Sequence, residues 1–435
     1  MENPSVKSLV ARRSKVLSQH SPLFYDQPLH LVKGEGVWLF DYQGRRYLDV
    51  YNNVPHVGHC NPRVVEAMRQ QASTLNIHTR YLHQNIVDYV ERLTATFDLS
   101  LSMAMLTCTG SEANELALRM ARHYSGAMGV IVTDCAYHGN TEAVAELGTA
   151  FMPDSKTTKR VKAFASPDSY RGLANVKEKD LADAYGSQVQ QAIDEFHDEG
   201  IGVAAILVCP AFANEGLLDL PKGFLENAVA KVRRAGGLFI ADEVQVGFGR
   251  TGRHMWAHQQ YGVTPDIVTL GKPMGNGYPL AGVVARGELI EQFSQHAMYF
   301  NTFGGTPVAC AIGMAVLDVL EHDNLLENAI KTGGYVKDQL VALQRRHAII
   351  GDVRDQGLFF AVELVKDRQN KDPAINEANR VINLMRNHGV LISTIGKYQS
   401  ILKVRPPMPF YQEHAELFIS TLDKVLQIVD SETPL

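Results

Sequence analysis

The sequence predicts an α/β protein with one large, mostly parallel sheet flanked by helices, followed by a smaller α+β domain. Apolar runs of strand length alternate with stretches of helical periodicity; these runs are residues 130–133, 203–208, 238–241 and 267–270. Such alternation favours right-handed crossovers and a parallel sheet that is buried on both faces. The 435 residues, 45% of them hydrophobic, are enough for a large core and for more than one domain.

Changes in the order of elements divide the chain into three parts. From about Asn324 the pattern becomes helix, strands, helix, strand and last helix. We therefore predict an N-terminal segment, residues 1–60, that packs with the small domain. A large domain follows over residues 61–323, and the small domain covers residues 324–435.

The composition excludes several functional classes. A net charge of −5 gives no field for nucleic acid or an anionic membrane. The five cysteines are scattered and never in C-x-x-C spacing, which indicates reduced thiols rather than a disulfide frame or a metal site. No apolar run suits a signal peptide or a membrane span. We expect a cytoplasmic enzyme with no nucleic-acid, membrane or metal partner.

The remaining elements follow from local patterns in chain order. A polar amphipathic helix is predicted up to about His20, and a hairpin over residues 36–49 around the turn at Gly44. Pro62 suits the start of a helix over residues 63–75. Residues 153–180 are polar and predict a long surface loop that covers the site. Helices are expected at residues 183–199, 224–235, 308–320 and 374–388, and strands at 280–285 and 357–364.

Two reactive side chains follow neighbouring apolar runs. Asp242 comes directly after residues 238–241, and Lys272 comes one glycine after residues 267–270. In open α/β sheets, ligands bind just outside the carboxyl ends of the strands. Pyridoxal 5′-phosphate (PLP) needs both groups, because its aldehyde condenses with a lysine and its ring nitrogen works best protonated against a carboxylate. We predict that Lys272 forms the Schiff base and that Asp242 holds the ring nitrogen.

Other cofactors match these residues less well. Gly271-Lys272 lacks the Ser or Thr that follows the lysine in a phosphate-binding P-loop. Residues 247–252 match G-x-G-x-x-G, but no amphipathic helix follows them, which disfavours a nicotinamide site.

A strand, a turn of small residues and a helix over residues 103–119 predict an anion site. Free N–H groups and the helix dipole favour a negative charge at a helix N-terminus, so Gly110 and Ser111 suit the cofactor phosphate. The alternative is an ordinary serine cap, worth about 1 kcal/mol to the helix. A similar turn, residues 299–307, precedes a second apolar helix. Tyr137, beyond the run at 130–133, either stacks on a flat ring or packs in the core.

Together these motifs resemble the class III aminotransferases of the fold type I PLP enzymes, from about Gly36 to the C-terminus. The motifs that carry the resemblance are residues 109–114, 136–139, 241–250, 271–272 and 302–305.

The resemblance implies a role for each matched residue and a homodimer with active sites at the subunit interface. Lys272 and Asp242 would be catalytic. The implied cofactor-binding residues are Gly110, Ser111, Tyr137, His138, Asp242, Val244, Gln245, Lys272 and Thr302. Val244 would lie under the ring, Gln245 near its hydroxyl and Tyr137 above it, and Thr302 would reach the phosphate from the other subunit.

The sequence departs from a standard aminotransferase where a substrate carboxylate is held. Lys403 stands where the family has an arginine before Pro406-Pro407, and Cys209 where a glutamate is expected. Loss of the planar guanidinium fork removes bidentate carboxylate binding. These departures resemble the phospholyase branch of the family, the ethanolamine-phosphate phospho-lyases and their relatives.

That branch implies β-elimination of phosphate from O-phosphoethanolamine, giving acetaldehyde, ammonia and inorganic phosphate. Three alternatives stay open: a phosphohydroxylysine phospho-lyase, a class III ω-amine or β-amino acid:pyruvate aminotransferase, and a silent PLP-fold binding protein. The candidates for binding the substrate phosphate are Asn53, His56, Arg80, Lys403 and Arg405, and His56 is the one most expected near the substrate. Each has a structural alternative, such as an ion pair for Arg80.

Overall fold

The computed structural model describes residues 5–150 and 158–432. The helices are α1 Val6–Val16, α2 Pro62–Ala72, α3 Gln84–Thr94, α4 Gly110–Ser125, α5 Glu142–Ala145, α6 Leu181–Asp198, α7 Phe224–Arg234, α8 Gly287–His296, α9 Pro307–His322, α10 Leu325–Arg346, α11 Ile375–Asn387 and α12 Gln412–Glu432. The strands are β1 Leu31–Glu35, β2 Trp38–Asp41, β3 Arg46–Asp49, β4 Met103–Thr107, β5 Gly129–Thr133, β6 Val161–Phe164, β7 Val203–Val208, β8 Leu238–Asp242, β9 Ile267–Leu270, β10 Ala281–Ala285, β11 Ile350–Asp355, β12 Phe360–Leu364, β13 Val390–Leu391, β14 Ser393–Ile395 and β15 Ile401–Val404.

A seven-stranded sheet in the order β4-β10-β9-β8-β7-β5-β6 confirms the predicted α/β architecture. Strands β5 to β9 pair in parallel, and β10 is antiparallel to both of its neighbours. The prediction of a surface loop over residues 153–180 was wrong in part. Residues 161–164 form the edge strand β6 against β5, and residues 153–157 lie outside the described residues. The run Val-Lys-Ala-Phe is too short and too mixed to signal a strand by its pattern.

Side chains alternate between the two faces of this sheet, and helices cover both faces. On β7, Ile206 and Val208 join the buried cluster that contains α6 and α7, whereas Ala205 and Leu207 join the cluster that contains α4 and α8. Because both faces are covered, every residue of β7 is buried, which explains its unbroken apolar run.

The C-terminal part forms one smaller sheet and adds a strand to another, which is built from β1, β2 and β3. Strands β11, β12, β15 and β14 make an antiparallel sheet that packs against α10 and α11, and α12 packs on these two helices. The predicted hairpin is confirmed as β2 and β3, and β3 pairs in parallel with β13, so that Leu48 lies opposite Val390. Asn324 (φ 51°) separates α9 from α10. The division at residues 60/61 and 323/324 stays a prediction.

No helix among residues 5–150 and 158–432 is both long and apolar enough to cross a membrane.

Candidate functional site

The carboxyl ends of β4, β5, β7, β8 and β9 meet at one edge of the large sheet, where they line a cavity of about 290 Å³. Most of its wall comes from the ends of these strands and the segments that follow them: Cys108–Ser111, Tyr137–Gly139, Cys209, Asp242, Val244, Gln245 and Lys272. Val54 and residues 277–280 complete it. A second cavity, of about 740 Å³, adjoins it, since Tyr137, Gln245 and Lys272 line both. The sheet therefore brings the predicted lysine and carboxylate to one site.

Asp242 is buried and held as a carboxylate. Its Oδ2 accepts hydrogen bonds from Asn114 Nδ2 (3.0 Å) and pairs with His138 Nδ1 (2.7 Å), and its Oδ1 accepts from the Val244 N–H (3.0 Å). Burial alone would raise the pKa of Asp242, but the hydrogen bond and charge of His138, the charge of Lys272 and the Val244 N–H hold that pKa below its usual value. The arrangement gives a fixed negative charge at the end of β8.

Lys272 sits in a strained backbone conformation in the same cavity. Its φ is +35°, in the left-handed region that non-glycine residues rarely adopt. Burial, opposed by the charge of Asp242 and assisted by the charge of Arg405, lowers the pKa of Lys272 to about 8. A lysine in this state releases its proton far more easily than a surface amine and suits attack on an aldehyde.

The N-terminus of α4 opens into the cavity. Thr109 and Glu112 form a capping box, in which the Thr109 hydroxyl accepts from the Glu112 N–H (3.2 Å). The first N–H groups of a helix have no acceptor within it, so those of Gly110 and Ser111 are available to an anion. This is the geometry predicted for a phosphate.

Close packing shapes the wall beside this helix end. A Cβ at Gly139 (φ +142°) would lie 2.5 Å from Ser111 Oγ, and a Cβ at Gly110 would lie 3.0 Å from both Val244 methyl groups. Only glycine fits at position 139, and a side chain at position 110 would require Val244 to shift. The backbone of the cavity is thus drawn tightly around Ser111 and Val244, as a cradle for a flat phosphorylated ring requires.

Two buried cations line the second cavity beside Lys272. Lys403 Nζ donates to Gln245 Oε1 (3.2 Å), and the Arg405 Nη1 group donates to the same oxygen. Burial lowers the pKa of Lys403 well below its usual value and that of Arg405 to about 10. Neither side chain is in an ion pair with any described residue.

Four other predicted residues do not line either cavity. His56 is fully buried, with Nε2 against the Phe248 carbonyl (2.7 Å) and Nδ1 accepting from Arg250 (3.1 Å), so both ring nitrogens are occupied. Asn53 is buried and donates to the Gln245 carbonyl (3.0 Å). We therefore withdraw both from the substrate site. Arg80 is exposed, with its guanidinium 4.0 Å from the centre of the Phe300 ring, and Thr302 is exposed outside the cavity.

Sequence reasoning missed three polar residues of the site. Asn114 bridges Asp242 and Thr269 from inside α4. Asn214 donates to the Tyr137 carbonyl (3.2 Å) and accepts from Gln245 (3.1 Å). Glu215, six residues after Cys209, is a buried carboxylate bonded to the Thr133 hydroxyl. Asn114 lies within a quoted motif, but only tertiary contacts show the importance of Asn214 and Glu215.

The family follows from comparison with known proteins. Residues 23–426 match the family described as aminotransferase class-III, so the chain belongs to that family. It has the fold type I architecture, and its cofactor is PLP. The residues present fit this cofactor: an amine of lowered pKa, a carboxylate fixed at the next strand end and a glycine-lined helix N-terminus lie around one cavity.

Relatives within the family carry two kinds of name. The chain is 38% identical to an alanine–glyoxylate aminotransferase 2-like protein of Drosophila melanogaster, over 99% of this chain and 89% of the relative. It is 35% identical to ethanolamine-phosphate phospho-lyase homolog 1 of Caenorhabditis elegans, over 98% and 94%. A solved phospholyase from Arthrobacter in complex with phosphoethanolamine is 46% identical, with a TM-score of 0.94 over 96% of this chain and 99% of that chain.

Proposed function

We propose that this protein is a PLP-dependent phospho-lyase that eliminates phosphate from O-phosphoethanolamine. The observation that carries the proposal is that two buried basic side chains, Lys403 and Arg405, line the cavity next to Lys272 and have no ion-pair partner among the described residues. Burial lowers the pKa of both side chains, and a bound anion would favour their charged forms. A buried cation without a counter-charge costs several kcal/mol, which a bound anion offsets. A phosphate dianion supplies two negative charges, so it matches two cations where a carboxylate would match one.

The residues have defined tasks in this reaction. PLP, when bound, acts as the electron sink for the substrate amine. Lys272 Nζ removes the proton from the carbon that bears nitrogen, a step that typically contributes about 10²–10⁴-fold in rate. Asp242 keeps the ring nitrogen protonated. Lys403 and Arg405 bind the phosphate and stabilise its charge as it leaves.

The products account for all atoms. The electron pair of the broken C–H bond forms the carbon–carbon double bond, and the C–O bond to phosphate breaks with its electrons leaving on inorganic phosphate. Water then hydrolyses the two-carbon unsaturated amine to acetaldehyde and ammonia. No oxidant or second substrate is needed.

The comparisons support this proposal without distinguishing every alternative. The Arthrobacter phospholyase is bound to phosphoethanolamine and is 46% identical to this chain. The volume of the second cavity, about 740 Å³, leaves room for a longer phosphorylated amine such as phosphohydroxylysine. The relative named as an aminotransferase keeps a class III amine:pyruvate aminotransferase as the second candidate.

A product assay tests the proposal. The PLP-loaded protein is incubated with O-phosphoethanolamine, phosphohydroxylysine and unphosphorylated ethanolamine, and inorganic phosphate and aldehyde are measured. We expect equimolar phosphate and acetaldehyde from O-phosphoethanolamine and none from the Lys272→Ala variant. Alanine formation from pyruvate and an amine, with no phosphate released from either phosphorylated amine, would instead identify an aminotransferase.

We also propose a homodimer, in which the exposed Thr302 of each chain reaches the cofactor phosphate held by the other. Its exposure outside the cavity of its own chain is consistent with this arrangement. The cytoplasmic location stays a prediction.

A further inference from the structure

Two buried polar atoms near Asp242 lack hydrogen-bond partners. His138 pairs with Asp242 through Nδ1, while its Nε2 is buried and has no partner among the described residues. Glu215 Oε1 accepts a hydrogen bond from the Thr133 hydroxyl, while Oε2 is likewise buried and has no partner among the described residues. A buried polar atom left without a hydrogen bond destabilises the fold, so two of them in one region point to a shared partner.

Contacts between two neighbouring loops bring together the segments that carry these side chains. Thr133 ends β5 and Asp242 ends β8, and these strands flank β7. The segment after β5 carries His138 across the end of β7 to Asp242. The segment after β7 contacts the segment after β5 at two points. The Asn214 side chain donates to the Tyr137 carbonyl (3.2 Å), and Cys135 Sγ lies 3.9 Å from the Asn214 carbonyl. Glu215 follows Asn214 directly.

The two unpartnered atoms are complementary in either proton state. Asp242 is a carboxylate and only accepts hydrogen bonds, so His138 carries hydrogen on Nδ1. Its Nε2 then accepts when the ring is neutral and donates when the ring is charged. Glu215 Oε2 donates when the acid is protonated and accepts when it is ionised. A single proton, carried either by His138 Nε2 or by Glu215 Oε2, therefore provides one donor and one acceptor.

We propose that Glu215 is a positioning residue that shares one proton with His138 through a buried bridging water, and thereby sets the charge of the His138–Asp242 pair. The inference rests on the role proposed for Asp242, because that pair faces the ring nitrogen. When the proton lies on His138, Asp242 is held as a carboxylate more firmly. Glu215 thus acts on the cofactor through two intervening side chains.

The surrounding charges are consistent with a shared proton. Burial raises the pKa of Glu215, while the Thr133 hydrogen bond and the charge of His138 oppose that rise. The other titratable groups that act on Glu215, or on which it acts, are Asp134, Cys135, Cys209 and Lys403. Asp242 is hydrogen-bonded to the His138 ring, and the charge of the same ring acts on Glu215.

Nitrogen-15 NMR of the histidine-labelled protein without PLP tests the coupling directly, with the His138 resonance assigned from a His138→Asn variant. We expect Glu215→Gln to move the pH midpoint of the His138 ring resonances down, since loss of a negatively charged partner disfavours the charged ring. Thr133→Val removes only the hydroxyl that donates a hydrogen bond to Glu215, so it should move the midpoint in the same direction by less. Because this readout uses no cofactor, it is independent of the proposed lyase activity.

A matched control and a second readout complete the test. Glu243→Gln also removes a buried carboxylate that pairs with a histidine, His258 (2.9 Å), and should lower the unfolding temperature without moving the His138 midpoint. In the PLP-loaded protein, Glu215→Gln should shift the pH midpoint of the visible absorbance band, whereas Glu243→Gln should not. Unchanged His138 resonances in both Glu215→Gln and Thr133→Val would overturn the proposal. An unchanged absorbance midpoint with shifted resonances would remove only the link to the cofactor.

Discussion

At the scale of single residues, the site depends on a lysine whose pKa is lowered by burial. Lys272 is cationic below pH 8 and neutral above it, whereas an exposed lysine would stay cationic to about pH 10.5. Only the neutral amine attacks the PLP aldehyde. The rate at which the apo-protein takes up PLP should therefore rise with pH and level off above about 8, as followed by visible absorbance in a stopped-flow instrument. A rate that keeps rising to pH 10 would contradict the lowered pKa.

Lys403 and Arg405 should determine the affinity for a phosphorylated substrate. Lys403→Met keeps most of the unbranched chain and removes its charged end, so we expect KM for O-phosphoethanolamine to rise about 10- to 100-fold, the range for losing one charged hydrogen bond. Arg405→Met should act in the same direction. Lys162→Met, which removes a lysine paired with Glu195 (3.0 Å) and Glu199 (2.7 Å) at the edge strand β6, is the control and should leave KM unchanged. Equal KM values in all three variants would remove these cations from the substrate site.

At the scale of elements, cofactor binding depends on how closely the segment after β5 approaches the start of α4. Gly139→Ala would push a Cβ to within 2.5 Å of Ser111 Oγ, so that the helix end must shift away from the phosphate. We expect the Kd for PLP, measured by fluorescence titration, to rise about 10- to 100-fold. Gly44→Ala is the control, because Gly44 also has positive φ (+82°) but no atom within 4 Å of the added methyl. Similar Kd values for the two variants would exclude the steric explanation.

Elements with a strong local pattern could be predicted, and those that depend on tertiary pairing could not. The runs that became β7, β8 and β9 are buried on both faces and therefore continuously apolar. The strand β6 lies at the edge and mixes lysine with apolar residues, so its pattern resembles that of a loop. The antiparallel direction of β10 likewise depends on its neighbours, which the sequence of residues 281–285 does not encode by itself.

Site residues divide in the same way. Asp242 and Lys272 were predictable because each follows a strand of one parallel sheet, and strand ends meet at a common edge. His56 was predicted at the substrate site because a polar loop suggests ligand contacts. In the structure its two ring nitrogens form hydrogen bonds with the Phe248 carbonyl and the Arg250 guanidinium. Glu215 lies in an irregular segment, where no periodicity tells which side chains point inward.

At the scale of the whole molecule, subunit mixing tests whether Thr302 acts across an interface. Lys272→Ala and Thr302→Val chains are co-expressed with different tags, and the mixed species is purified. If Thr302 serves the other chain, one site of the mixed dimer keeps both Lys272 and Thr302, so activity at limiting PLP should exceed that of either parent. Light scattering should give twice the chain mass of 48.1 kDa. A monomer, or no recovery of activity in the mixed species, would contradict the shared site.

The parallel pairing of β3 with β13 joins segments that are far apart along the chain, and it bears on the order of events during synthesis. Leu48 pairs with Val390, so some 340 residues must be translated before this strand finds its neighbour. At roughly 5–20 residues per second, the ribosome needs about 20 to 70 s for that stretch. Strands β4 to β10 emerge in the meantime and can pair among themselves. The large sheet can thus form on the nascent polypeptide before β13 is available to pair with β3.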